Sequence, residues 1–272
     1  MGAAGLGVAA AGLFAGCGGS SNGGAANPTA TPAGTPAGTP GPTAGPTARP
    51  GVDQTNFPGI SGSNINEVVL NFALALEILE ADLYRQALNK ASGRALNAPL
   101  EGTPGSYSLR ISPGSLSARS GQAAADAFDF LRQFTFVEAA HRDFLRTAIR
   151  SLGGTPQPAN PGGYKFPTAN GDPGNDLRAI LNNLIPLEET GVRAYLGAAG
   201  FLTNLGLLQT AATIFSTEAR HSAVINDSLG RLPGPTPMPG DQRVVDTYPS
   251  PDTFEYFLDP PVVLQRIRPY LA

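Results

Sequence analysis

The sequence predicts an all-α protein: a four-helix bundle on a disordered N-terminal tether, followed by a Pro-rich C-terminal extension. Three observations predict it. Four stretches of more than 20 residues each repeat their apolar residues with a helical period. No alternating strand pattern of useful length accompanies them. The two histidines of the chain each fall three residues after a glutamate, and each lies on the apolar face of one of those stretches.

Composition narrows the function classes. The charged fraction is 14%, against about 25% for a typical globular domain. The net charge of −3 excludes a nucleic-acid footprint, which needs a basic patch. Cys17 is the single cysteine, so an intrachain disulfide is excluded.

Residues 1–17 form the first element. MGAAGLGVAAAGLFAG is uncharged and apolar, too short to span a bilayer at about 20 residues, and has the composition of a signal-peptide core. Its ending, Phe14-Ala15-Gly16-Cys17, resembles the lipobox of bacterial lipoproteins, which implies lipid attachment at Cys17. Residues 18–58 are a Gly/Pro/Thr-rich linker with no large apolar residue before Val52. Such a tract cannot form a core and predicts a semi-extended spacer.

Residues 59–230 hold the bundle. The first helix is expected over residues 64–90, with Asn64 and Glu67 at its N-terminal cap. Asn71, Asp82, Arg85, Gln86 and Asn89 share one arc and are expected to face solvent. The opposite arc carries Ala73, Leu76, Glu77, Glu80, Tyr84 and Leu88, so two carboxylates point at the core. The second helix, residues 121–152, has the buried stripe Leu131, Phe134, Glu138, His141, Leu145. In the third, residues 176–199, Arg178, Asn182, Glu189 and Arg193 share the solvent arc, and Glu188 is turned to the apolar side with Leu181, Leu184 and Tyr195. Glu189 and Arg193 form an i, i+4 pair, and Pro186 should kink the helix one turn before Glu188. The fourth, residues 204–229, has the stripe Ala211, Ile214, Glu218, His221, Ile225. It follows the third so closely that the two should be antiparallel neighbours. Residues 231–272 are expected to wrap the bundle, with a short helix near residues 262–268 after Pro260 and Pro261.

A buried ionised carboxylate costs several kcal/mol, roughly, unless it is paired or binds a metal. Here each of four helices turns at least one glutamate inward. Two of them add a histidine three residues on, about 60° round the helix and about 4.5 Å along it, so both side chains reach one point. With 9 glutamates in 272 residues, chance would place one at that spacing before both histidines about once in 900 sequences. Four carboxylates and two imidazoles are the ligand set of a dinuclear metal site in a bundle. That set suits iron or manganese better than a tetrahedral structural zinc.

The order Glu, Glu-x-x-His, Glu, Glu-x-x-His resembles the ferritin-like superfamily, which includes bacterioferritin, rubrerythrin and the dimanganese catalases. NFALALEILEADLY and LEETGVRAYLGAA are similar to the desiccation-related ferritin-like family, and the likeness covers residues 64–230. In bacterioferritin-like helices a tyrosine follows the ligand glutamate by seven residues, as Tyr84 follows Glu77 and Tyr195 follows Glu188. The resemblance therefore implies the ligands Glu77, Glu138, His141, Glu188, Glu218 and His221, two iron or two manganese ions, and Glu80, Tyr84 and Tyr195 beside them. It also implies two similar helix hairpins about an approximate two-fold axis. Tyr84 would then reach Glu188 and Tyr195 would reach Glu77. The bland alternative for both tyrosines is an ordinary place in the core.

The function expected from all this is an exported, membrane-tethered protein with a dinuclear centre and oxidoreductase chemistry on peroxide, dioxygen or ferrous iron. The alternative is a non-catalytic, stress-protective or structural accessory protein of the cell surface or a membrane complex. The expected partners are the membrane, through the lipid anchor, and a second copy of the chain or a membrane complex.

Overall fold

The computed structural model describes residues 54–121, 124–243 and 254–272. The signal-like run, Cys17 and the linker as far as residue 53 lie outside the described residues.

Four long helices are α1 (Ile65–Ala91), α2 (Ala124–Ser151), α3 (Leu177–Ala199) and α4 (Leu205–Ser228). Three of them start where a side chain accepts from a free backbone N–H. Asn64 accepts from Glu67 N at 3.1 Å, and Glu67 reaches back to Ser63 N at 2.8 Å. Asp176 accepts from Ala179 N at 2.8 Å, and Asn204 from Gly206 N and Leu207 N at 2.9 and 3.1 Å. α3 is continuous through Pro186. The proline has no N–H to give the Asn182 carbonyl its ordinary helical bond.

α1 packs on α2 and α3 on α4 as antiparallel hairpins. Leu70 near the start of α1 clusters with Ile149 near the end of α2, and Arg178 near the start of α3 bonds to Leu229 O beyond the end of α4. The apolar side chains gather into a large cluster and a smaller one. The smaller contains Leu70, Ala73, Leu145, Ile149, Tyr195 and Ile214, at the end of the bundle where α2 stops and α4 starts. The core begins before residue 59. Phe57 is buried edge-on against Phe72 and Phe201, with ring centroids 5.4 and 5.1 Å away.

The polar arc of α1 is not a solvent face. Asn71, Gln86 and Asn89 are buried because the connections on either side of α2 fold back over α1. A covering loop brings carbonyls that need donors once water is gone, and the polar side chains of α1 supply them. Asn71 Nδ2 donates to Ser61 O and Thr155 O at 2.9 and 3.0 Å. Gln86 Nε2 donates to Tyr164 O at 2.9 Å, and Asn89 Nδ2 to Ala98 O at 2.8 Å. Arg85 and Asp82 stay half-buried, with Arg85 bonded to Leu96 O at 2.7 Å.

Glu189 and Arg193 are likewise buried rather than solvated, although they do pair, at 2.5 Å. The cover is the C-terminal extension. Asp241 accepts from Arg193 Nε and Nη2 at 2.6 and 2.9 Å, and Thr236 O accepts from Nη2 at 2.6 Å. The extension then forms a two-stranded ribbon, β1 (Gln242–Arg243) with β2 (Tyr256–Phe257), and a short helix α5 (Pro260–Arg266). Its backbone lies directly on α3. Leu258 N donates to Arg193 O at 3.2 Å, and a Cβ on Gly197 would collide with Leu258 O. Among the described residues, no helix is long and apolar enough to cross a membrane.

Candidate metal centre

The four helices bring their inward carboxylates to one layer. Glu77, Glu138, Glu188 and Glu218 are each 0% exposed. His221 is buried, and the side chain of His141 keeps 14% exposure at the edge of the layer.

The six side chains form two overlapping groups, each with one ligand atom per residue within 4.8 Å of the others. One group is Glu77, Glu138, His141 and Glu218, and the other is Glu138, Glu188, Glu218 and His221. Glu138 and Glu218 belong to both. Glu138 presents Oε2 to His141 Nδ1 at 3.3 Å and Oε1 to His221 Nδ1 at 2.8 Å. His141 Nδ1 also lies 3.3 Å from Glu218 Oε1 and 3.5 Å from Glu77 Oε2, and His221 Nδ1 lies 3.5 Å from Glu188 Oε2.

These contacts are close without being satisfied. His221 Nδ1 and Glu138 Oε1 approach to 2.8 Å, yet the pair is not aligned as donor and acceptor, and neither atom has a hydrogen-bond partner. Glu77 Oε2, Glu188 Oε2 and both oxygens of Glu218 are also buried without a partner. Unpaired buried oxygens are costly and rare. Here they are aimed into one volume shared with two ring nitrogens, and carboxylate oxygens with imidazole nitrogens fit a pair of hard or borderline cations. The donor set therefore fits a dinuclear site.

The second oxygens of Glu77 and Glu188 are held from outside the layer. Tyr195 donates to Glu77 Oε1 at 2.6 Å, and Tyr84 donates to Glu188 Oε1. Each tyrosine crosses between α1 and α3, fixing one oxygen and leaving the other to face a histidine. Burial, then the neighbouring glutamate charges, push both phenols well above their usual range, so both remain donors.

Burial and the neighbouring charges decide where protons sit in the layer. Burial, with the Glu138 charge, pushes the Glu77 carboxyl up to about 7 against the opposing pull of His141. Burial resists charge on His141, but Glu138, Glu218 and Glu77 outweigh it and raise the imidazole to about 12. Burial also resists charge on His221, and Glu188 and Glu138 raise it to about 10. Glu138 shows the converse: burial would raise it, and the two histidines hold it down at about 2. Burial and the Glu138 and Glu188 charges raise Glu218 well above the carboxylate range.

Glu80 lies beside the layer and in neither group. Its Oε2 is buried and unpartnered, and burial followed by the charge of Glu218 pushes its carboxyl well up. Two further residues shape the site: Phe134, read from the sequence only as part of the apolar stripe of α2, and Gly191, not singled out from the sequence. Phe134 stacks on His221 with ring centroids 3.8 Å apart. A Cβ on Gly191 would stand 3.1 Å from Glu218 Oε2 and 3.2 Å from Glu80 Oε1, so the missing side chain makes room for both carboxylates. A glycine inside a long helix, where it costs stability relative to alanine, is the sequence signal that points to such an approach.

A family model for the ferritin-like domain matches residues 66–231, from the first turn of α1 to just beyond α4. No curated protein matches the chain.

Proposed function

The chain belongs to the ferritin-like domain family, and from that premise we propose that its bundle holds two iron or two manganese ions and performs oxidoreductase chemistry on peroxide, dioxygen or ferrous iron. The observation that carries the proposal is the overlap of the two ligand groups at Glu138 and Glu218. Glu77 and His141 would hold one ion and Glu188 and His221 the other, with Glu138 and Glu218 available to both. When bound, such a pair supplies electron exchange and open coordination positions for an oxidant.

The residues of the chain do the rest. Tyr84 and Tyr195 orient the outer carboxylates through Oε1, the kind of support that tunes a ligand's position and basicity. Phe134 fixes the plane of the His221 ring. Glu80, whose carboxyl is pushed up by burial and by Glu218, stands beside Glu218. The partly exposed edge of His141 gives polar species an approach to the layer.

Export and tethering through a lipid on Cys17 are part of the proposal and rest on the lipobox-like ending of residues 1–17. Mass spectrometry of native protein tests that part, and an unmodified Cys17 in the cytosol would remove it. The metal reading is tested by elemental analysis of protein purified without chelator, then by peroxide and dioxygen consumption. Two metal ions per chain with turnover support it. Metal without turnover leaves a metal-holding, stress-protective role. A chain without metal, also after reconstitution with ferrous or manganous ion, would defeat it.

A further inference from the structure

A cavity of about 20 Å³ lies between the helices. Its inner wall includes Ala73, Leu76, Leu145, Tyr195 and Ile214. Ala73 is four residues before Glu77, Leu145 four after His141, and Ile214 four before Glu218. α1 and α4 run one way along the bundle and α2 and α3 the other, so these offsets all run to the same end. The cavity therefore sits about one helical turn, roughly 6 Å, from the layer.

Tyr195 joins the two. Its ring lines the cavity and its hydroxyl donates to Glu77. The outer rim is half-buried Leu202, in the turn between α3 and α4, with Thr210 and Ala211 near the start of α4. The equivalent place beside Tyr84 is different: Tyr84 is fully buried within the large apolar cluster.

The wall has no charged side chain, and both of its hydroxyls are occupied. Tyr195 donates to Glu77 at 2.6 Å and Thr210 to Gly206 O at 2.9 Å. A site with no free polar partner does not hold water well, whereas apolar cavities of this kind take up small apolar molecules. A ferrous ion would lose its hydration there and peroxide its hydrogen bonds, with nothing in return. The volume limits the guest to little more than one water-sized molecule.

We infer that this cavity is the dioxygen site of the centre: a dry chamber that admits the apolar oxidant from the α3–α4 turn and holds it behind Tyr195. The inference rests on the proposed dinuclear centre and selects dioxygen among its three candidate substrates. Polar species have the separate edge at His141.

The test uses the full chain, loaded with ferrous ion, in two arms. Xenon is first applied under pressure to crystals as a dioxygen-sized apolar probe. The expected result is xenon between Ala73, Tyr195 and Ala211. Oxidation of the ferrous centre is then followed with dioxygen and with peroxide in Ala211→Phe, which fills the rim, and in the milder Ala211→Leu should the first not fold. The dioxygen rate relative to the peroxide rate should fall about tenfold in Ala211→Phe, as expected when access is gated. Absence of xenon from the cavity, or an unchanged ratio, overturns the inference while metal content still supports the centre. A chain that takes up no metal overturns both, and elemental analysis alone reveals that case.

Discussion

Tyr195 on α3 donates its hydroxyl to Oε1 of Glu77 on α1 at 2.6 Å, 118 residues away in sequence. Tyr84 on α1 makes the reciprocal bond to Glu188 on α3. The two bonds cross the bundle in opposite senses, and each leaves the other oxygen of its glutamate unpaired. We predict that Tyr195→Phe and Tyr84→Phe keep the helical fold but weaken metal binding by about 10- to 100-fold each, as loss of a ligand's outer partner does. Competition against a chelator measures this. Affinity within a factor of two or so of the parent would leave the tyrosines as core aromatics.

The metal-free layer should respond to pH with a definite sign. Glu77 is raised to about 7, His221 to about 10 and His141 to about 12. A group raised on folding contributes stability that is full below its unfolded pKa and is lost as pH rises through its folded one. For Glu77 that window runs from about 4.3 in the unfolded chain to about 7 in the fold. We predict that the metal-free protein loses stability between pH 5 and 7, on the order of that window, and that Glu77→Gln flattens the loss. Metal must also displace these protons, so affinity should rise with pH and binding should release protons. Thermal unfolding against pH and calorimetry in buffers of different ionisation enthalpy check the two halves. A metal-free protein that gains stability across that window would contradict the first.

Gly191→Ala separates helix propensity from the site. In most helix interiors the change stabilises by about 1 kcal/mol. At Gly191 the new Cβ would stand 3.1 Å from Glu218 Oε2 and 3.2 Å from Glu80 Oε1. Carboxylate ends can move by a few tenths of an ångström, so the metal-free variant should be as stable as the parent or slightly more so. Its metal affinity should fall severalfold, because Glu218 is displaced. Chemical denaturation and metal titration on the same sample measure both, and undiminished affinity would show that the glycine is not needed for the layer.

Arg193 is 0% exposed and bonded to Glu189, Asp241 and Thr236 O. Its removal leaves two carboxylates in the interior without their cation. Breaking a buried pair in this way costs about 3–5 kcal/mol, and we predict that loss for Arg193→Ala in urea denaturation. Arg193→Lys should recover only part of it, since an ammonium cannot make the paired contact of Nε and Nη2 with Asp241. A loss below about 1 kcal/mol would place the cluster with surface ion pairs.

Much of the layer is legible in the sequence because each of its members sits on an apolar stripe. Period alone turns Glu138, His141, Glu188, Glu218 and His221 inward, and the structure brings them together. The polar arcs read less well, for a physical reason. Periodicity reports which face of a helix is polar, and says nothing about what covers that face. Asn71 is covered by Ser61 and Thr155, and Asn89 by Ala98. Arg193 meets Asp241, 48 residues away. These partners lie in loops and in the extension, which carry no period to read. Gly191 and Phe134 act by shape, through an absent Cβ and a stacked ring, and neither belongs to a ligand motif.

Glu138 offers one oxygen to each histidine, and that arrangement bears on how the layer fills. A carboxylate is a single rigid plane, so turning it toward one half sets its angle in the other. Glu218, shared in the same way, adds a second such linkage. The first ion to arrive therefore spends its binding energy on ordering two side chains that the second finds already placed. Uptake should be cooperative, rising steeply toward full occupancy, with the half-filled chain a minor species at every ratio of metal to protein.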